Sequence, residues 1–596
     1  MRNLSALAAI LILGLSAPLR VSSQTVLTVD RISESTQGTN AAGTSGPGVV
    51  SPNSRLLVFE STANNIVNND NNGFKDVFLL DLSEGLTTRI SQDNSGLGGD
   101  GDSWDADISF RAPNGTTAIV FTSDATNLSG FPAAALDENG VADVFFTFPN
   151  RNLFGKVSIL PDGTELNGPS GEASVTLTTE PTKALVSFTS AATNVVDGDF
   201  NGKRDVYLAT ITAPSTADDF NYQEDLSIIP ISQAADPATE PNGHSGNSQI
   251  SGNGKFVVYE SEATNLIVGS DTQRKQIFLF NVETGETSLV SKASNGEPGN
   301  QVSSNPSISF SGNFIAYLTQ ATNIIPDGRA PSGSAKQIVL YNLKENTSKR
   351  VNVTADGELG NGTTSDNVSA LISPNGRFVI FSDNSSNLVP NDNNGATDLF
   401  LKDMANGSII RTSLTSSGGE PSGNSLLPDF AGQAFNSTEA LLLFASEAED
   451  IISGDSNNSR DMFLTEASLP RLPLTRSTVL EVPADIEIDG DRATVSMEDF
   501  DGLSLNNSAA LRASARRSRE SVRYYVTAER EGEKGKAKDL RKLTSKKNSI
   551  ALKRLKSGTY LIQYRAEIIR KNRRTGRSKV VARTAFSPVV RISNTQ

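Results

Sequence analysis

Ser373-Pro374-Asn375-Gly376-Arg377-Phe378-Val379-Ile380-Phe381 is the stretch on which the fold turns. Pro-Asn-Gly is a tight-turn signal, and the apolar run after it is hydrophobic on both alternating faces. A strand of that kind is buried on both sides, whereas an exposed antiparallel sheet alternates apolar with polar. Upstream, residues 367–373 read as a partner strand. Downstream, a loop runs to Thr397, then Asp398-Leu399-Phe400-Leu401, the turn Asn406-Gly407 and Ile409-Ile410-Arg411. Two hairpins in series make a four-stranded unit.

Aligned on the aromatic that closes its second strand, the unit recurs at Phe59, Phe121, Phe188, Tyr259, Tyr317, Phe381 and Phe444, at spacings of 62, 67, 71, 58, 64 and 63 residues. A period of roughly 40–70 residues made only of strands and turns predicts propeller blades, because one such sheet cannot bury both faces alone. The seventh copy has Ala440 to Phe444 and Asp461-Met462-Phe463-Leu464 but then meets Pro470 and Pro473. Its missing fourth strand is found near the N-terminus, where Val29-Asp30-Arg31-Ile32-Ser33 matches the fourth-strand strings Thr88-Arg89-Ile90-Ser91 and Ser288-Leu289-Val290-Ser291. The expectation is an all-β, seven-bladed β-propeller whose N-terminal strand closes the last blade and covers its edge.

The string Ser373 to Phe381, with Asp398-Leu399-Phe400-Leu401-Lys402-Asp403 after it, resembles the repeat of the TolB-like, WD-like bacterial propellers over about residues 25–469. The resemblance implies the propeller and transfers little function. The family's namesake has six blades and an added N-terminal α/β domain, a departure that separates its partner from this chain's.

Residues 1–23 combine Arg2, an apolar run from Ala6 to Leu15 and small residues before Gln24, the pattern of a cleaved signal peptide. No later segment approaches the 18 or so apolar residues of a membrane helix, so the expected location is periplasmic or extracellular, with no transmembrane segment. The chain has no cysteine and one histidine, His244. Disulfides, lipoprotein anchoring, Cys-His nucleophiles and Cys-ligated zinc are thereby excluded, and a Ser-His-Asp nucleophile or His-ligated metal would have only His244, in one unpromising place, to draw on. His244 sits in a loop-like Pro-Asn-Gly-His-Ser-Gly-Asn string and reads as a solvated loop residue. Trp104, just before a predicted strand at residues 105–110, reads as core or rim packing, with ligand stacking at the channel mouth as its functional alternative.

The loops between second and third strands hold the one recurrent set of hard oxygen ligands. Copy three reads Asp197-Gly198-Asp199-Phe200-Asn201-Gly202-Lys203-Arg204-Asp205; copy one keeps Asn68, Asp70, Asn72 and Asp76, and copy six Asp392, Asn394 and Asp398. Calcium takes six to eight oxygens, and alternate side chains about a Gly turn can supply them. The spacing resembles the first nine positions of an EF-hand loop, without its final Glu, and the calcium loops of integrin-type propellers. Weaker versions occur at Asp137, Asn139 and Asp143 and at Asp455, Asn457 and Asp461, while copies four and five carry Lys275-Gln276 and Lys336-Gln337. The competing reading is that these Asx residues only cap their own turns.

From Arg471 to the end there are 28 Lys and Arg against 14 Asp and Glu, leaving 25 against 53 before it within an overall net charge of -14. The expected division is a leader over 1–23, the propeller over 24–469, a linker over 470–480 and a small basic β-sandwich over 481–596. In the last, Leu555-Lys556-Ser557-Gly558-Thr559-Tyr560-Leu561-Ile562-Gln563-Tyr564 resembles a late strand of fibronectin type III and immunoglobulin-like domains. Export argues against nucleic acid and for an anionic envelope polymer as the partner of this basic part. The functional expectation is an exported binding scaffold, not an enzyme, that engages a protein or glycan through its loop-rich rim, with calcium stiffening some loops. A carboxylate-dependent glycan hydrolase or lyase at the channel mouth and a surface adhesin are the alternatives.

Overall fold

The computed structural model describes residues 26–468 apart from gaps at 52–54, 83, 94, 111–115, 129–136, 179–181, 197, 215–216, 269–273, 326–328, 330–335, 363–369, 375 and 431–438. Beyond them it describes the backbone of seven strands between Asp485 and Asn594. The predicted leader, the 470–480 linker and Asp197 lie outside the described residues.

Seven four-stranded antiparallel sheets follow one another along the first part of the chain. Six keep consecutive order, blade one being Ser45–Val50, Leu56–Ser61, Asp76–Asp81 and Leu86–Arg89. The seventh takes Val26–Arg31 as its outer strand, paired with Asp461–Ser468, followed inward by Glu439–Ser446 and Ser425–Phe430. The chain ends thus meet in one sheet, as the fourth-strand match predicted.

The closing aromatics by which the copies align are what fill the blades. In each of six blades the second-strand ring lies opposite an aromatic of the third strand, as in Phe59 with Phe78 at 5.5 Å, Tyr259 with Phe278 at 5.8 Å and Phe444 with Phe463 at 5.5 Å between centroids. Blade five pairs Tyr317 with Val339 instead. Rings at that separation add about 0.5–1.5 kcal/mol to the benefit of burying them. Blade-to-blade packing is completed at the turns. Gly376 has φ +73°, and a Cβ there would meet the Phe314 ring of blade five at 2.1 Å. The tight turn after Ser373 therefore requires glycine on two counts.

One departure from an all-strand reading is in blade three, the longest repeat. Its third strand, Asp205–Thr212, and fourth, Leu226–Pro230, are joined through a single helical turn, Tyr222–Asp225, whose cap Asn221 accepts a hydrogen bond from Gln223 N–H. The Tyr222 hydroxyl accepts from Lys156 N–H of blade two, tying the insertion to its neighbour.

Beyond the propeller, Asp485–Asp489, Arg492–Ser496 and Ser549–Lys553 form one antiparallel sheet. Ser518–Arg530, Gly558–Asn572, Ser578–Arg583 and Val590–Asn594 form a second.

Candidate functional site

The loop carboxylates first serve the blades themselves. Asp76 opens the third strand of blade one, and its Oδ1 accepts from the Ser91 hydroxyl at 2.5 Å while Ser91 Oγ accepts from Val77 N–H. Ser158 with Asp143, Ser232 with Asp205, Ser413 with Asp398 and Ser33 with Asp461 repeat this clasp at 2.6–2.7 Å. Blade four substitutes Gln276, which accepts from Ser291. The clasp joins strands three and four where the sheet begins.

A second residue decides the charge. The fourth-strand residue facing the third-strand aromatic is Arg89 opposite Phe78, Lys156 opposite Phe145, Arg411 opposite Phe400 and Arg31 opposite Phe463. Each turns into its own loop. Arg89 Nη1 lies 3.1 Å from Asp70 and 3.6 Å from Asp76. Arg411 Nη1 lies 3.2 Å from Asp398, 3.5 Å from Asp392 and 2.7 Å from Glu420. Arg31 reaches Asp455 at 3.4 Å and Asp461 at 3.9 Å. In blade two, Asp137, Asp143 and Glu165 lie close enough to hold an ion, but Lys156 Nζ is already 2.7 Å from Asp143.

In blades one and six the residues expected to hold calcium have partners within the protein. Between Asp70 and Asp76, and between Asp392 and Asp398, a guanidinium supplies the positive charge. The Asn oxygens face their own turns: Asn72 Oδ1 accepts from Phe74 N–H and Asn394 Oδ1 from Ala396 N–H. Their amide nitrogens donate to Asp76 and Asp398 and to the carbonyls of Gly99 and Pro421 in the following connection. Asn68 is exposed. These Asn side chains are latches between the second loop and the inter-blade connection, which places both on one face of the ring. The signal for the cation and the clasp was present in the Arg-x-Ser strings at 31–33, 89–91 and 411–413.

Blade three differs. Its residue at the cation position is Pro230, opposite Tyr207, so Asp199 and Asp205 share a loop to which the fourth strand brings no positive charge. Asn201 keeps the latch, accepting from Lys203 N–H and donating to Pro241 O. Asp199 is 7% exposed; its Oδ2 accepts from the Tyr207 hydroxyl at 3.3 Å and its Oδ1, also buried, has no hydrogen-bond partner among the described residues. A cavity of about 210 Å³ opens beside them, lined by Asp199, Asn201, Asp205, Tyr207, Pro230 and Glu240 among others. Burial, ahead of every other influence, pushes the Asp199 carboxyl up and Asp205 to about 6. In blade one burial likewise raises Asp76 to about 6, with Ser91, Asn72 and Arg89 opposing it.

The central channel offers less. Asp107 and Asp429 line its cavity, but each carboxylate is held by the next blade's inner strand: Val175 N–H donates to Asp107 and Val50 N–H to Asp429. Phe110 of blade two and Phe310 of blade five meet edge to face at 6.1 Å, narrowing the passage. Trp104 belongs to the inner strand Ser103–Ile108, with Lys75 Nζ 5.7 Å from its ring centre. His244 is half-buried and its Nδ1 accepts from Arg204 N–H at 3.0 Å, so it is a tethered loop residue and not a freely solvated one.

No protein-family model and no curated protein matches the chain. Solved structures to which the chain is similar include a putative TolB from Agrobacterium tumefaciens (10% identity, 55% of this chain and 87% of that one, TM-score 0.29). They also include the acylaminoacyl peptidase of Pyrococcus horikoshii (11% identity, 77% of this chain and 58% of that one, TM-score 0.36) and a GH93 α-L-arabinofuranosidase of Fusarium graminearum (10% identity, 74% and 98%, TM-score 0.31). Among the described residues no helix is long and apolar enough to cross a membrane.

Proposed function

We propose that this chain is an exported, non-enzymatic binding scaffold that engages a protein or glycan through the face carrying its second-to-third-strand loops and inter-blade connections. One observation carries the reading. Of the six large apolar side chains left exposed among the described residues, Phe74, Phe200 and Val268 lie in those loops and Leu97 in a connection on the same face, while Leu86 and Ile229 lie in fourth strands. Exposed apolar groups gathered on one rim among polar neighbours are the composition of a recognition surface. Outside blade three the loop and channel carboxylates are engaged in clasps, ion pairs and inner-strand contacts, which favours binding over hydrolysis.

The residues after 480 extend this reading. Their two sheets are proposed to pack as a fibronectin- or immunoglobulin-like sandwich, and their excess of Lys and Arg suits an anionic envelope polymer. The N-terminal 23 residues are proposed as the export signal.

The test is an affinity capture from envelope extract with the full chain, compared with a Phe74→Ser/Phe200→Ser double variant. Capture of a defined partner by the native protein, reduced about tenfold or more in the variant, supports the rim. Undiminished capture, or turnover of a glycan in a substrate screen, overturns the reading.

A further inference from the structure

We infer that the blade-three cavity is a receptor for a guanidinium group, taking the arginine side chain of a partner into the position that arginines of the chain itself occupy in blades one, six and seven. The inference rests on the rim reading and gives the partner a chemistry.

The comparison lies within the molecule. Blades one, six and seven each set two aspartates around an arginine of their own fourth strand, and blade two sets Asp143 and Glu165 around Lys156. Blade four, with Leu289 at that position, carries Gln276 in place of the third-strand aspartate, so charge and counter-charge are lost together. Blade five keeps a cation, Arg350, while Gln337 replaces the aspartate, and blade three is the reverse: both aspartates are kept and the cation is replaced by Pro230. Glu240 extends the match. Its Oε1 accepts from Phe200 N–H, as Glu420 Oε1 accepts from Asn393 N–H while also holding Arg411.

A buried carboxylate oxygen without a partner costs about 1–3 kcal/mol or more, and Asp199 Oδ1 is such an atom at the cavity wall. A planar cation with several N–H donors satisfies it and Asp205 together, as Arg411 does for Asp392 and Asp398. The volume, about 210 Å³, exceeds what one metal ion fills and accommodates a side-chain head with its water. Phe200, 85% exposed and next in sequence to Asp199, offers a ring to the aliphatic stem or the cation itself.

The test uses the full chain and N-trifluoroacetyl-arginine amide, read by fluorine NMR line width at low ionic strength, with the citrulline amide as its uncharged isostere. The arginine probe is expected to broaden and saturate while the citrulline probe stays sharp. Asp199→Asn removes a ligand charge, and Pro230→Arg installs the cation that the sibling blades carry. Either is expected to weaken binding by about tenfold or more, whereas Asp392→Asn in blade six leaves it unchanged. Circular dichroism confirms that each variant is folded, and Asp199→Asn keeps the test open if Pro230→Arg is not.

Equal broadening by both probes, or native-like binding by the Asp199 variant, overturns the inference. So does calorimetric binding of calcium chloride that Asp199→Asn abolishes while the arginine probe stays inert; that outcome makes the cavity a metal site. A partner captured equally by native protein and Asp199→Asn would defeat the cavity and leave the rim reading standing.

Discussion

At the scale of single residues, the informative comparison is between aspartates that have a counter-charge and one pair that does not. Arg89, Asp70 and Asp76 are all nearly buried, with side-chain exposures of 6%, 3% and 0%. Removing one partner from such a group leaves charge stranded in a poorly solvated place. Arg89→Met is expected to cost about 3–5 kcal/mol in denaturant unfolding, with the triple variant Asp70→Asn/Asp76→Asn/Arg89→Met recovering most of it. A loss below about 1 kcal/mol for Arg89→Met would show that the trio is solvated after all. Asp205, whose folded-state carboxyl is raised by burial to about 6, lends itself to a pH test. A raised carboxyl binds its proton more readily in the folded state, so above pH 6 it carries a penalty on the order of 2–3 kcal/mol that disappears as pH falls toward its unfolded value. Asp205→Asn is therefore expected to be the more stable form at pH 7.5, its advantage shrinking as pH falls through 6 toward 4. An advantage independent of pH would remove burial as the cause. The aspartates were legible in the sequence as a repeated ligand-like pattern. Their partners were harder to see, because Arg89 is 19 residues from Asp70 and only strand pairing brings the two together.

At the scale of elements, the strand that closes the ring does three jobs at once. Val26–Arg31 pairs along Asp461–Ser468, Arg31 neutralises Asp455 and Asp461, and Ser33 forms the clasp to Asp461 at 2.6 Å. Deleting residues 24–34 removes all three and exposes a sheet edge. A fall in melting temperature of at least about 5 °C is expected, with Ser33→Ala alone costing about 1 kcal/mol. An unchanged melting temperature for the deletion would mean that the ring is stable without this strand. Turn chemistry and apolar runs marked the strands well. The Phe378–Asp383 strand begins one residue after the Arg377 from which the apolar run was read and extends two beyond Phe381, because Ser382 and Asp383 go on pairing with Leu399 and Asp398. The Tyr222–Asp225 turn was not legible, since one helical turn has too few residues to display a period.

At the scale of the whole molecule, the sequence by itself determined the seven units, their order and the supply of the last strand from the N-terminal end. Those properties depend on local spacing, on Asn-Gly turns and on runs too apolar to face water, all of which are written along the chain. It also displayed the opposed charge of its two parts, which governs what surfaces each can approach through salt-screened attraction. The tertiary structure decided which aspartates still lack a counter-charge. Five Asp-bearing loops look like versions of one ligand set until the fourth strands are laid beside them. Arginine or lysine then completes four of the five, blades four and five carry glutamine with Leu289 or Arg350 in the fourth strand, and proline leaves blade three with two carboxylates and a cavity. Charge balance in a buried site is a property of neighbours in space, and those neighbours are set by the register between strands, which the order of residues does not display.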